Sequence, residues 1–289
     1  TECRPDLYSY QSLIAAWSRT PLAGTAQKAE TVLHFLDRVS NTTRPDLKPN
    51  VHCYTAAIHA WSHSWEYNKA RRAYQILHHM RVVAELKPTI VAYTAVLNAC
   101  KSPAEDIECE HAFQVARLVM EELRWDEHVQ PNFLTYATFL HVVATTTYED
   151  SEQREKIIRV TWREACKDGQ VGCIVLENLR MAASNELYQE LLGPVMKPDP
   201  VDGVPVVHLP FEWGKNVKGE RMPPKRYVRF SLEQPVESSV REELRQVPED
   251  WCRGGPYSKE KQKQAIYGLE DVSFTVDEDF GIYRRGMSA

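Results

Sequence analysis

His59 and His63, in the segment "HAWSH", stand four residues apart, the spacing at which one helix face can offer two imidazoles to a metal ion. No carboxylate follows His59 in the manner of a zinc protease, and none of the ten His is followed two residues on by Glu. The seven Cys, at 3, 53, 100, 109, 166, 173 and 252, include no two separated by only two residues. The His-x-Glu and Cys-x-x-Cys set of a zinc deaminase is therefore missing, as is any redox pair. A glycine-rich phosphate loop and a Gly-x-Ser-x-Gly elbow are missing as well. An odd, scattered set of Cys reads as reduced core thiols. The expectation is a protein that is not an enzyme, with no catalytic residue, no metal, no cofactor and no small-molecule substrate.

The two histidines belong to a phrase that recurs. Aligned on a tyrosine, four copies stand in one frame: "PDLYSYQSLIAAWSRT" from Pro5, "PNVHCYTAAIHAWSHS" from Pro49, "PTIVAYTAVLNACKSP" from Pro88 and "PNFLTYATFLHVVATT" from Pro131. The anchors Tyr10, Tyr54, Tyr93 and Tyr136 lie 44, 39 and 43 residues apart, a period that signals stacked supersecondary units. After each anchor the apolar residues fall at helical spacing, as Leu13, Ile14 and Trp17 in the first copy and Ala57, Ile58 and Trp61 in the second. A second helix follows each time, in "AQKAETVLHFLDRVS", "YNKARRAYQILHHMRVV", "CEHAFQVARLVMEELRW" and "QREKIIRVTWREACKDG". Ala29, Ala70 and Ala112 recur where the two helices must approach closely. The proline that opens the next copy lacks an N–H and pushes its predecessor out of the α region, so it separates the units. Asn50 and Asn132, directly after proline, suit helix N-caps.

A helix pair of this size cannot bury its apolar stripe alone. The expected fold is all-α: a right-handed α-solenoid of stacked helix-turn-helix units over residues 5–193, with first helices lining a concave face. A weaker fifth unit, "GQVGCIVLENLRMAASNELYQELLG", would cap it. From residue 194 Pro194, Pro198, Pro200, Pro205 and Pro210 break any helix, so residues 194–289 are expected to form a proline-rich linker and a mostly irregular extension. Within it "KRYVRFSLEQ" and "VSFTVDEDF" alternate like short strands and "ESSVREELRQV" reads as a short helix, while "MPPKRYVR" and "YRRG" are basic enough to touch RNA.

These residues resemble the pentatricopeptide repeat family. Its unit opens with an apolar residue, Tyr at the fourth place and "LI" at the seventh and eighth, and ends in "KP" plus a variable residue. "LYSYQSLIAAW" and "VHCYTAAIHAW" carry that opening, and "LKPN" and "LKPT" that ending. The units are longer than the family's usual repeat and are similar to those of algal arrays. A tetratricopeptide frame would need Leu-Gly on the first helix, which no unit has. The resemblance implies an organellar protein, of mitochondrion or plastid, that binds single-stranded RNA on the concave face in transcript processing, stability or translation, with other organellar RNA-binding proteins as partners.

Under this resemblance the base-edge contacts fall on the residue after each Tyr and the residue after each terminal Pro: Gln11 with Asn50, Thr55 with Thr89, Thr94 with Asn132, and Ala137 with no partner. Short hydroxyls and amides suit a base edge, and Thr94 with Asn132 resembles the family's adenine-reading pair. One such pair among four units predicts weak or partial sequence specificity. The second-position residues that would wedge bases are Tyr8, His52, Val91 and Leu134, of which Tyr8 and His52 can stack at about 1–3 kcal/mol per base. A basic residue near the end of each first helix would meet phosphate. Arg19 fits, His63 is a second candidate, and the later units offer Ser102 and Thr145.

The chain of 289 residues is 43% hydrophobic and carries a net charge of −5, which argues against binding nucleic acid by bulk charge alone. Charge is unevenly placed: residues 1–100 hold 11 Lys and Arg against 7 Asp and Glu, whereas residues 101–150 hold 3 against 10. That acidic stretch and Ala137 favour the alternative, a protein-binding scaffold in an organellar ribonucleoprotein. No apolar run reaches the roughly 20 residues of a membrane helix, so no membrane partner is expected. The start "TECRPDLYSY" shows no targeting segment and no initiator Met, so it leaves the compartment to the resemblance.

Overall fold

Helices alternate in pairs from the first described residues. The computed structural model describes residues 4–20, 22–101, 103, 106–146, 151–198, 205–219 and 227–229, all within one compact unit. The pairs are α1 (Leu7–Ser18) with α2 (Thr25–Thr42), α3 (Val51–Ser62) with α4 (Lys69–Val82), α5 (Ile90–Ala99) with α6 (Asp106–Trp125), α7 (Phe133–Thr146) with α8 (Ser151–Lys167), and α9 (Cys173–Ala182) with α10 (Asn185–Leu192). The fold is predominantly helical, and the fifth pair occupies the segment expected to cap the array.

Successive first helices pack on one another in the order α1, α3, α5, α7, α9, and each second helix packs against the first helix of the next pair. An interior first helix is thus enclosed by its two homologues and by second helices, which explains composition that no amphipathic surface helix would tolerate. In α7 Phe133, Thr135, Tyr136, Ala137, Thr138, Phe139, Leu140, Val142, Val143 and Thr146 are buried, with Leu134 exposed near its start. Helix α1 has no preceding pair among the described residues, so Leu13, at the apolar spacing, stays 39% exposed. The close-packing alanines are buried, Ala29 at 0%, Ala70 at 7% and Ala112 at 2% relative exposure, because a larger side chain would hold the helices apart.

Second helices carry the charge and tie neighbouring units. Glu30 on α2 meets Arg72 on α4 at 2.9 Å, Arg81 on α4 meets Glu122 on α6 at 2.7 Å, Arg124 on α6 meets Glu164 on α8 at 2.6 Å, and Arg159 on α8 pairs with Glu190 on α10. A second periodic tie lies at the second-helix starts. Gly24 and Asn68, both at positive φ, donate their backbone N–H to Glu66 (2.8 Å) and Glu108 (2.5 Å) of the following unit. At Gly24 the left-handed backbone, φ 80°, is the one conformation that turns the chain into α2 and frees that N–H.

Past α10 the described residues hold three short strands and one short α-helix. Met196–Pro198 (β1), Pro205–His208 (β2) and Tyr227–Arg229 (β3) form an antiparallel sheet in the order β1-β2-β3. A short helix, α11 (Phe211–Gly214), folds back on α8. Trp213 meets Trp162 edge to face at 5.6 Å, and Val171 N–H donates to the Trp213 carbonyl at 2.7 Å. Proline breaks helices but is tolerated at strand ends, where Pro198 and Pro205 stand. Of the elements expected further on, the strand in "KRYVRFSLEQ" coincides with β3, while "VSFTVDEDF", "ESSVREELRQV" and "YRRG" lie outside the described residues.

Candidate functional site

Each of the first four first helices begins with proline followed by a cap. Pro49, Pro88 and Pro131 are buried, and the next residue, Asn50, Thr89 or Asn132, takes the N-cap place. The Asn50 Oδ1 accepts from Cys53 N–H at 3.1 Å, and the Asn132 Oδ1 accepts from the N–H and hydroxyl of Thr135, both at 3.0 Å. Asp6 caps α1 in the same way, accepting from Ser9 N–H at 2.8 Å. An asparagine oxygen has two acceptor positions: the cap bond takes one at Asn50, and the two bonds from Thr135 take both at Asn132, while the amide N–H groups point elsewhere. Thr89 is exposed and makes no side-chain cap bond.

The tyrosine anchors are held from behind. Tyr54 donates to both oxygens of Asp37 at 2.8 and 3.0 Å, Tyr93 donates to Asp126 at 3.4 Å, and Tyr136 donates to Asp168 at 2.6 Å. Burial, reinforced by the carboxylates, pushes all three phenols up, Tyr93 to about 12, so they remain neutral donors. With the fourth position fixed inward, the fifth is turned toward the open side. Gln11 lies beside Asn50, with Asn50 Nδ2 3.5 Å from Gln11 Oε1. Thr55 donates its hydroxyl to the Val51 carbonyl at 2.7 Å, which leaves its oxygen as an acceptor. Thr94 Oγ1 is 3.4 Å from Thr135 Oγ1, which joins it to the Asn132 cap. All of these are half-buried, whereas Ala137 is 2% exposed and offers no polar group.

The second positions form a separate exposed row: Tyr8 at 74%, His52 exposed, Val91 at 51% and Leu134 at 41%. Basic residues stand near the C-terminal ends of the first helices, where a positive charge complements the helix dipole. Arg19 caps α1 and His63 caps α3, both exposed. Because α5 ends early, at Ala99, the third unit supplies Lys101, half-buried, one residue beyond the Cys100 cap. Sequence reasoning missed it by counting a fixed offset to Ser102, which lies outside the described residues. Thr145, the fourth candidate, spends its hydroxyl on the His141 and Val142 carbonyls at 3.0 and 3.2 Å.

His59 and His63 stack at 5.9 Å between ring centroids, yet among the described residues no group of three metal-ligating side chains forms around them or elsewhere. The described carboxylates of the acidic stretch belong to a second helix and its following turn. Helices α1, α3, α5 and α7 contain no Asp, Glu, Lys or Arg. The carboxylates of residues 108–127 sit on α6 and the turn after it, where Glu122 also accepts from Tyr74 at 2.9 Å and Asp126 accepts from the backbone N–H of His128 and Val129.

A second polar row was overlooked in the sequence. His59, Asn98 and His141 each follow the fifth position by four residues, one helical turn along the same face, and all are half-buried. The i, i+4 spacing from Thr55, Thr94 and Ala137 was the available signal. Residues 39–102, which hold α3, α4 and α5 together with Asn50, Thr55, Thr89 and Thr94, match the pentatricopeptide repeat domain. Neither a curated protein nor a solved structure matches the chain.

Proposed function

We propose that the pentatricopeptide repeats of this chain bind single-stranded RNA along their first helices, in a mitochondrion or plastid, in the processing, stability or translation of a transcript. The observation that carries this reading is the partition of charge. Four consecutive first helices present no carboxylate, and Arg19, His63 and Lys101 stand at their C-terminal ends. A phosphodiester strand along these helices meets no carboxylate on them beyond the Asp6 cap at the start of α1, and has Arg19 and Lys101 along one edge. Tyr8 and His52 supply stacking surfaces for bases, and Gln11, Asn50, Thr55, Thr89, Thr94 and Asn132 supply edge contacts in which the asparagines act as donors. Other organellar RNA-binding proteins are partners in this reading.

Filter binding of organellar RNA over a salt series tests it. The expected result is retention that weakens as salt rises; no retention, or no salt dependence, overturns it. The exposed apolar Val91 and Leu134 favour a second reading, a protein-binding scaffold whose groove takes a peptide. Thr94→Asn separates the two, since it shifts base preference at one position of a bound oligonucleotide in the first reading and leaves RNA unaffected in the second.

A further inference from the structure

The fourth unit has lost its fifth-position reader, because Ala137 is buried and apolar. One turn further along α7, His141 is held in a defined chemical state. Its Nδ1 lies 3.1 Å from Asn178 Oδ1 on α9. The other end of that amide, Nδ2, donates to the Ile174 carbonyl at 2.8 Å. A carbonyl oxygen can only accept, so the amide orientation is forced: nitrogen faces Ile174 and oxygen faces the imidazole. An amide oxygen can only accept as well, so His141 carries its proton on Nδ1. Its Nε2 is then a bare acceptor, with no hydrogen-bond partner among the described residues, and it is not a buried orphan. Burial and the neighbouring Lys101 ammonium both hold the imidazole below its ordinary range, against the smaller opposing effect of Asn178, which keeps the ring neutral.

We infer that in the fourth unit base selection has moved from the fifth position to His141, whose Nε2 accepts from the exocyclic amino group of adenine or cytosine, with Asn178 as the positioning residue that fixes the tautomer. This rests on the RNA reading above. Hydroxyl and amide readers can donate or accept and so tolerate several bases. A locked acceptor finds no exocyclic donor on uracil, whose one base-edge donor is the ring N3–H, so it disfavours uracil against bases that carry an exocyclic amino group. The neighbouring units do not share the lock: His59 faces His63 and has no amide partner, and Asn98 is not titratable.

The test is selection from a pool of single-stranded RNA of random sequence by the full chain and by three variants, with melting curves to establish that each folds. For the unmodified chain, one position should be enriched in adenine or cytosine over uracil by about fivefold, the worth of one net hydrogen bond. His141→Ala should abolish that enrichment at that position alone. Asn178→Ala, which leaves Nε2 in place but frees the ring to take either tautomer, should reduce it at the same position. His141→Gln, an amide that both donates and accepts, should admit uracil. If His141→Ala and Asn178→Ala select the same sequences as the unmodified chain, or if preference falls equally at every position, the inference is wrong. If His141→Ala fails to fold, unchanged selection by Asn178→Ala and His141→Gln overturns it equally. RNA retained with no base preference at any position overturns the inference, whereas failure of the unmodified chain to retain RNA at all overturns instead the RNA reading on which it rests.

Discussion

Glu30→Leu should cost more than any other single change to the charge layer. Glu30 is 5% exposed and serves three donors: Trp61 Nε1 at 2.9 Å, Arg72 at 2.9 Å and His34 at 3.3 Å. Leucine removes both acceptor oxygens, and with them all three interactions, at similar volume. The Trp61 indole, 3% exposed, is left with a buried donor, worth about 1–3 kcal/mol. Arg72 is 32% exposed at the side chain and can turn to water, so its share is held to about 1 kcal/mol or less. The half-exposed His34 adds little, and the new apolar contact returns part of the loss. The expected net loss is about 2–3 kcal/mol, or about 4–12 °C in melting temperature for a unit of this size. Urea unfolding measures it, and hydrogen exchange should place it, because units couple mainly to their neighbours: amides of α2 to α4 should exchange faster while α7 to α9 hardly change. The decisive comparison is with Trp61→Phe, which removes the indole donor. If the orphaned N–H is the main cost, the double variant loses well under the sum of the single losses, with a coupling of about 1–2 kcal/mol. Losses that add to within about 0.5 kcal/mol would refute the reasoning, because the two groups would then be energetically independent.

Asn132→Asp keeps the cap oxygen and removes the amide donor, so melting should be nearly unchanged while base preference at the third unit changes. Asn132→Ala should lose both, with about 1 kcal/mol of stability. Lys101→Gln should weaken binding to single-stranded RNA at low salt and reduce the slope of log affinity against log salt by about 0.7, read from a salt titration. Proton NMR should find His34, raised by its hydrogen bond to Glu30, titrating above 6.5, and His59 and His141, lowered by burial, titrating below it. The signs differ. His34 contributes stability that is present below pH 6.5 and is lost as pH rises through its raised value. His59 and His141 contribute stability that is lost as pH falls from 6.5 toward their lowered values, because the unfolded chain binds their protons first. His141→Gln should therefore make urea stability less acid-sensitive.

The sequence by itself determined the helix pairs, their caps and their register. Those follow from local chemistry: proline without an N–H, a short polar cap after it, and apolar residues at helical spacing around Tyr54, Tyr93 and Tyr136. The recurring alanines, too, named the places where helices touch. Only tertiary structure decided what each polar atom is free to do. Asn50 and Asn132 are legible as caps because the cap bond runs only three residues along the chain, whereas the approach of Asn50 Nδ2 to Gln11, 39 residues away, is not. The acidic stretch favoured a protein-binding scaffold when read from the chain, but its described carboxylates, in residues 108–127, lie on α6 and the turn after it rather than on a first helix. Lys101 took its place because α5 stops at Ala99, which no fixed offset foretells, and the His141 tautomer depends on Asn178, 37 residues away in the chain. Hydrogen-bond capacity is used up by neighbours that are distant in sequence, so the residue types announce the surface while the packing assigns its donors and acceptors.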